Sequence, residues 1–299
     1  MVEYKSRGIR GIYSALVTPM HPDESVNFTA LEQIIEIELS DGVEGFYCCG
    51  SSGEGLLLSL EERKKIVETV IKKVRGRVPV IAHIGTIRTH DVIDLAQHAA
   101  NVGVDAVSMI PPYYYKFSME EIVEYYEAVI HAVPGLPLVL YNIPQFTGIS
   151  FSKENAKRLL DNEAVMGIKH TSNDLYALER MQKAYPNKVY FNGFDEIFLS
   201  ALCAGADAAI GTTVNLYAST FKRIRDAFEI GDIDTGRKLQ ALTNMRVESL
   251  SKVGIFNAVK YGVSYRGVDC GSCRAPFKQL SSKDRQELDS LFAKGFGST

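Results

Sequence analysis

Short apolar runs rich in β-branched residues alternate with helical segments along most of this chain, and this alternation limits the fold more than any other feature. Eight such runs are predicted to be strands. They cover residues 12–17, 45–49, 78–83, 106–110, 138–142, 165–169, 189–192 and 208–211. Eight βα units within roughly 220 residues predict a parallel (β/α)8 TIM barrel, because that is about the usual size of the fold. An open doubly wound sheet is the alternative, but no Gly-x-Gly-x-x-Gly follows the first strand.

The segments between the strands carry helix signals. Ser59 with Glu62, and Ser118 with Glu121, predict capping boxes at two helix starts. Segment 89–102 has an apolar stripe that stops at Gly103. After residue 218 the strand signals disappear, and helices are predicted at 221–229, 233–253 and 283–294. We therefore expect a barrel domain at 1–218 and a C-terminal helical extension at 219–299 that packs on it.

Composition excludes several classes of protein. The net charge of −3 provides no basic surface for nucleic acid, and no apolar run approaches the roughly 20 residues that span a bilayer. No apolar signal-peptide segment follows the N-terminus. Five cysteines, two of them adjacent at Cys48 and Cys49, do not suit a disulfide framework. We expect a cytoplasmic enzyme with no nucleic-acid or membrane partner.

Cys270 and Cys273 have the spacing of half a zinc site or of a redox pair. A zinc site needs a second pair of ligands, and none is suitably spaced. The six histidines are also scattered, without a metal-binding pattern. We expect two reduced thiols and no metal.

Lys169 and Tyr141 each close an apolar predicted strand. The carboxyl ends of the strands carry the active site in barrels of this type, so both side chains belong to the expected catalytic ring. Burial disfavours a charged amine, and a neutral lysine can form a Schiff base with a carbonyl. The other interpretation is that the lysine reaches the surface from a strand end and that the tyrosine only packs.

Segment 50–55 is a glycine- and serine-rich turn after the second strand. It fits either a flexible connection between strand and helix or an anion site, because successive backbone amides in such a turn can hold an anion. Together with a Schiff-base lysine, it suggests a 2-keto acid whose carboxylate lies on the turn and whose ketone meets Lys169. Asp195 and Glu196 fit a solvated turn, but their position at the end of the seventh strand suggests recognition of hydroxyl groups on a polyol. The three tyrosines at 113–115 fit either the core, a subunit interface or a proton relay.

Three motifs lie in order along the chain: Gly-Ser-Ser-Gly-Glu at 50–54, Tyr-Asn-Ile-Pro at 141–144 and Gly-Ile-Lys-His-Thr-Ser at 167–172. They resemble the motifs of the superfamily of N-acetylneuraminate lyases and dihydrodipicolinate synthases, which are class I aldolases on a (β/α)8 barrel. The synthase branch usually has an arginine where this chain has Phe146. Gly-Phe-Asp-Glu at 193–196 instead resembles the lyase branch.

The resemblance implies cleavage of the sialic acid N-acetylneuraminate to N-acetylmannosamine and pyruvate, with neither a metal nor an organic cofactor. Lys169 would form the imine and Tyr141 would transfer the proton. Ser51 and Tyr114 would complete the catalytic set, with Tyr114 supplied by a neighbouring subunit of a homotetramer. The substrate-binding residues implied are Ser51, Ser52, Thr171, Gly193, Asp195, Glu196 and Thr212.

Two alternatives stay open at this point. One is a related aldolase or dehydratase that acts on another 2-keto-3-deoxy sugar acid. The other is a barrel that binds a sugar acid without catalysis, since fold alone does not determine function.

Overall fold

A computed structural model of the protein describes residues 9–296, and in it eight parallel strands close into a barrel. Each strand pairs with the next along the chain, and β8 pairs with β1. The strands are β1 (Gly11–Ala15), β2 (Gly45–Cys48), β3 (Val80–His83), β4 (Ala106–Met109), β5 (Leu138–Asn142), β6 (Val165–His170), β7 (Val189–Asn192) and β8 (Ala208–Gly211). The prediction of a (β/α)8 barrel is confirmed.

Helices surround the barrel and continue after its last strand. They are α1 (Phe28–Ser40), α2 (Leu60–Val74), α3 (Thr89–Val102), α4 (Met119–Ala132), α5 (Pro144–Thr147), α6 (Lys157–Leu160), α7 (Leu175–Ala184), α8 (Phe198–Cys203), α9 (Val214–Glu229), α10 (Ile233–Lys252), α11 (Ile255–Tyr265) and α12 (Ser282–Phe292). Both predicted capping boxes are confirmed, since Ser59 and Glu62 bond reciprocally at the start of α2 and Ser118 and Glu121 do so at α4.

Several predicted strands run one or two residues too far at the carboxyl end, because the chain leaves the sheet there to build the site. Cys49 has a left-handed backbone with φ of 59°, which ends β2. The Val17 amide donates to the side chain of Asn215 at 3.1 Å instead of to a strand. An apolar run in the sequence does not record either event.

The C-terminal extension exists, but its helices differ from the prediction. Helix α9 begins at Val214 rather than at 221, and α11 was not predicted. The predicted division at residue 218 falls inside α9, beside a kink at Tyr217. The division into two domains stays a prediction. No helix within residues 9–296 has the length and apolar character required to cross a membrane.

The core has two layers. The larger layer fills the space between the strands and the helices. The smaller layer fills the inside of the barrel, and its large members include Tyr13, Tyr47, Ile81, Tyr141, Met166, Phe191 and Ile210. Because these side chains fill the inside of the barrel, a ligand can bind only at one of the two ends of the barrel.

Candidate active site

A cleft with a volume of about 690 Å³, including its open mouth, lies at the carboxyl ends of the strands. This size is typical of small-molecule sites. Its lining brings together every predicted site residue except Tyr114: Ser51, Ser52, Tyr141, Lys169, Thr171, Gly193, Asp195, Glu196 and Thr212. Residues that are far apart in the sequence are therefore collected by the barrel into one cavity.

Lys169 and Tyr141 face each other from register-paired positions on β6 and β5. The lysine side chain is buried, and its Nζ lies 4.0 Å from the centre of the Tyr141 ring. Within residues 9–296, no carboxylate oxygen lies within 4 Å of this nitrogen and no hydrogen bond engages it. The amine is thus free to react with a carbonyl group that enters the cleft.

Two buried aromatic rings pack against Tyr141. One of them, Tyr47, was not predicted as part of the site, and the other, His83, closes the third predicted strand. Tyr47 on β2 lies with its ring centre 4.2 Å from the Nζ of Lys169, and its hydroxyl is 3.1 Å from that of Ser108. The His83 ring packs edge-on against Tyr141 at 5.9 Å. Burial, together with the charges of Arg63 and Lys169, lowers the pKa of His83 well below its ordinary value, so the ring is neutral. Side chains alternate between the two faces of a strand, so the position of Tyr47 along β2 was the signal in the sequence that could have placed it inside the barrel.

The turn at 50–55 is closed by its own backbone. The Glu54 amide donates to the Ser51 carbonyl at 3.1 Å, and the Gly55 amide donates to the Gly50 carbonyl at 3.0 Å. A Cβ at Gly55 would lie 1.8 Å from the Cys49 carbonyl oxygen, so only glycine fits. The amides of Ser51 and Ser52 donate to no group within residues 9–296. Free amides and two hydroxyls at one turn suit a carboxylate.

Ser52 and Thr212 connect this turn to the loop after β8. Their hydroxyl oxygens are 2.7 Å apart, and both residues line the cleft. Either hydroxyl can donate, so the pair can turn its other hydrogen towards a ligand.

Thr171 and Gly193 lie next to each other in the lining of the cleft. The Thr171 hydroxyl is buried and has no hydrogen-bond partner among the described residues. A Cβ at position 193 would lie 1.8 Å from this oxygen, so a side chain there would displace it. Glycine at 193 therefore keeps the threonine in place, and a buried hydroxyl without a partner is suited to a ligand's polar group.

Asp195 is buried and fixed at the start of a 3-10 turn that covers Asp195–Ile197. One carboxylate oxygen accepts from the amide of Thr213 at 2.7 Å and from its hydroxyl at 2.8 Å. Burial raises the pKa of Asp195 to about 6, although the two bonds from Thr213 partly oppose the shift. The neighbouring Glu196 is half-buried and also lines the cleft, so two acidic side chains can accept hydroxyl protons at this end.

Tyr114 lies outside the cleft of its own chain. Its side chain is 84% exposed, its backbone has φ of 76°, and its ring packs edge-on against Tyr115 at 5.0 Å. A role for Tyr114 in a site requires another copy of the chain, and that role stays a prediction.

The outer wall of the cleft comes from the C-terminal extension, which the sequence did not indicate. Val247 and Ser251 on α10, and Ile255 and Phe256 on α11, face the cavity. These helices are remote in sequence from the barrel motifs, and only tertiary packing brings them to the site.

Two groups that the sequence drew attention to lie apart from the cleft lining. His170 accepts from the Asn142 amide at its Nδ1 and donates from its Nε2 to the Asp174 carbonyl, which indicates a structural role. Cys270 and Cys273 are buried free thiols. In the described part of the chain, no three His, Cys, Asp or Glu side chains are grouped so that they could hold a metal ion.

The arrangement combines three chemical capacities in one cavity. A buried amine stands beside a phenol, and the same cavity is lined by an amide-rich turn and by hydroxyl and carboxylate groups. Such a set can bind an elongated 2-keto acid that carries hydroxyl groups and form an imine with its ketone.

Known proteins resemble the chain throughout its length. An N-acetylneuraminate lyase from Rhizobium meliloti is 40% identical over 280 residues, which cover 94% of this chain and 93% of that protein. One from Escherichia coli is 37% identical over 284 residues, with coverage of 95% and 96%. The crystal structure of CdNal from Clostridium difficile in complex with mannosamine superposes with a TM-score of 0.94 at 34% identity and covers 96% of this chain and 99% of that one.

The chain also matches a family model over nearly its whole length. The model of the dihydrodipicolinate synthetase family matches residues 8–294. The chain therefore belongs to the dihydrodipicolinate synthetase family.

Proposed function

We propose that the protein is an N-acetylneuraminate lyase, a class I aldolase that reversibly cleaves N-acetylneuraminate to N-acetylmannosamine and pyruvate. The observation that carries the proposal is the amine of Lys169 beside Tyr141, in a cleft that is also lined by the serine-rich turn and by two acidic residues. Relatives that are 37% and 40% identical carry this name, and the match extends along nearly the whole chain.

The substrate is proposed to bind along the cleft in its open-chain form. Its carboxylate meets the amides and hydroxyls of Ser51 and Ser52, and this places the ketone at Lys169. Thr171, Asp195 and Glu196 accept or donate hydrogen bonds to the polyol. Gly193 leaves room for the Thr171 hydroxyl, and the Thr212 hydroxyl, 2.7 Å from that of Ser52, connects this group to the turn. Contacts at both ends hold the C3–C4 bond in line for cleavage.

Lys169 then attacks C2 of the substrate, and loss of water gives a protonated imine. Tyr141 removes the proton of the C4 hydroxyl. The electrons of the C3–C4 bond move towards the imine, so that an enamine of pyruvate and the aldehyde N-acetylmannosamine form. Tyr141 returns its proton to C3, water hydrolyses the imine, and pyruvate leaves.

The neutral His83 and the ring of Tyr47 support this chemistry by their packing. Both rings lie against Tyr141 and fix its orientation relative to Lys169. Because a buried neutral ring adds no charge beside the imine, Lys169 carries the positive charge of the reaction alone.

The proposal also covers the oligomeric state of the protein and its cellular compartment. The exposed Tyr114 suits a homotetramer in which the neighbouring subunit brings this ring to the cleft. The free cysteines suit a reducing compartment, and we propose the cytoplasm.

The test is release of pyruvate from N-acetylneuraminate by the purified protein, followed by a coupled lactate dehydrogenase assay. We expect pyruvate release that depends on Lys169. Absence of release from folded protein that pyruvate and borohydride still label would retain the Schiff-base aldolase and reject this substrate.

A further inference from the structure

A buried ion pair joins the turn at 50–55 to the C-terminal extension. We propose that Lys260 on α11 is a positioning residue for this turn and acts through Glu54. The effect on binding of the keto acid rests on the proposed function, whereas the effect on the turn itself does not.

Both carboxylate oxygens of Glu54 have a hydrogen-bond partner. The Nζ of Lys260 lies 2.8 Å from one carboxylate oxygen of Glu54, and both side chains are completely buried. The other carboxylate oxygen accepts from the Arg274 amide at 2.7 Å. The Nζ of Lys260 also donates to the Ser272 carbonyl at 2.7 Å. Glu54 is therefore held by two elements that follow the barrel.

Glu54 belongs to the backbone that presents Ser51 and Ser52. It has a left-handed conformation with φ of 57°, which is costly for a residue with a side chain and persists only where surrounding contacts impose it. Its amide closes the turn by donating to the Ser51 carbonyl. A shift of Glu54 is therefore transmitted directly to the free amides that we assign to the substrate carboxylate.

A second tether fixes the exit of the turn. The guanidinium of Arg274 donates to the Leu57 carbonyl at 2.8 Å and pairs with Glu62 of α2 at 2.7 Å. The segment that contains Ser272 and Arg274 thus contacts both Glu54 and the chain that follows it. These bonds fix the turn against the extension rather than against the barrel alone.

Stability alone is a weak reason for such a pair. Burial of two charges costs desolvation energy, and well-packed apolar residues of similar volume are often as stable. An ion pair differs from apolar packing because it specifies direction and distance. Helix α11 also supplies Ile255 and Phe256 to the outer wall of the cleft. One helix thereby contacts both the turn at 50–55, through Lys260, and the lining of the cleft.

The experiment compares the wild type with Lys260→Met, which removes the ammonium group and retains much of the side-chain volume. The control is Arg266→Met, since Arg266, the residue that follows α11, pairs at 2.5 Å with Asp41, the residue that follows α1, and does not contact the turn. Hydrogen–deuterium exchange of the amides at 50–57 reports on the turn. Labelling by pyruvate and borohydride gives the half-saturating pyruvate concentration.

We expect exchange at 50–57 to become at least about tenfold faster in Lys260→Met than in Arg266→Met, because the unpaired carboxylate leaves its buried position. The half-saturating pyruvate concentration should rise about tenfold or more in the same variant, since small displacements of binding groups have large effects. The control should lose stability and keep the wild-type pyruvate dependence.

If Lys260→Met does not fold, the double variant Glu54→Gln/Lys260→Met takes its place, because it buries no charge. Faster exchange at 50–57 in the double variant would support the proposal. Wild-type exchange in both Lys260 variants would overturn it, as would equal acceleration in Arg266→Met. Faster exchange in a protein whose wild type is never labelled by pyruvate would reject the aldolase function and keep the positioning role.

Discussion

Asp195, which we propose binds the sugar acid, also affects the pH dependence of stability, and its replacement by asparagine tests both effects. Burial raises its pKa from the ordinary 3.8 to about 6. At about 1.4 kcal/mol per pKa unit, the folded state is less stable by up to about 3 kcal/mol when this carboxylate is charged. In Asp195→Asn the new amide oxygen would still accept both bonds from Thr213.

The sign of the pH dependence follows from the raised pKa. The contribution of a group with a raised folded-state pKa is fully favourable below its unfolded value and is lost as the pH rises through the folded value. The wild type should therefore lose stability relative to Asp195→Asn between pH 4 and pH 7. At pH 7 the variant should be more stable by up to about 3 kcal/mol.

Unfolding in urea, followed by circular dichroism at several pH values, gives the comparison. The sugar acid should meanwhile bind more weakly to the variant, while the half-saturating pyruvate concentration stays at the wild-type value. Thr213→Val removes a donor that favours the charged carboxylate, and it should move the transition to higher pH. A stability difference between Asp195→Asn and the wild type that is equal at pH 4.5 and pH 7 would refute the reasoning.

Three further variants test separate groups. Lys169→Ala should abolish labelling by pyruvate and borohydride, and a labelled peptide that contains another lysine would contradict the assignment. Tyr141→Phe should slow turnover roughly 100-fold and keep the labelling, because only proton transfer is lost; near-normal turnover would exclude that role. Burial raises the pKa of Glu38 to about 8, so the wild type should lose more stability than Glu38→Gln as the pH rises from 4.5 to 8, because the variant retains only the contribution of Asp195. If the urea midpoint changes by the same amount between pH 6 and pH 9 in both proteins, Glu38 does not carry this dependence.

The sequence predicts the barrel well because each strand is short, apolar and bounded by glycine, proline or polar residues. The bounds of β5, β7 and β8 agree with the prediction. The prediction fails where a tertiary contact ends or begins an element. Cys49 leaves β2 through a left-handed backbone, and an apolar run cannot indicate this.

The site is predictable where chemistry requires an unusual residue at a strand end. Lys169 and Tyr141 are such residues, and both line the cleft. Tyr47 was missed because a tyrosine within a strand has the same pattern as core packing. Lys260 was missed because its partner, Glu54, lies 206 positions away. Only the folded chain brings such pairs together.

The position of the outer wall outside the barrel affects how substrate preference can change. Lys169 belongs to the closed sheet, where a displaced strand disturbs both of its neighbours. Val247 and Ser251 belong to a helix outside that sheet, so their side chains can change in size or polarity while Lys169 stays in place. Selection for a different sugar tail can therefore act on the extension and leave the bond-breaking step unaltered. A library of substitutions at these two positions would explore new substrates within one reaction.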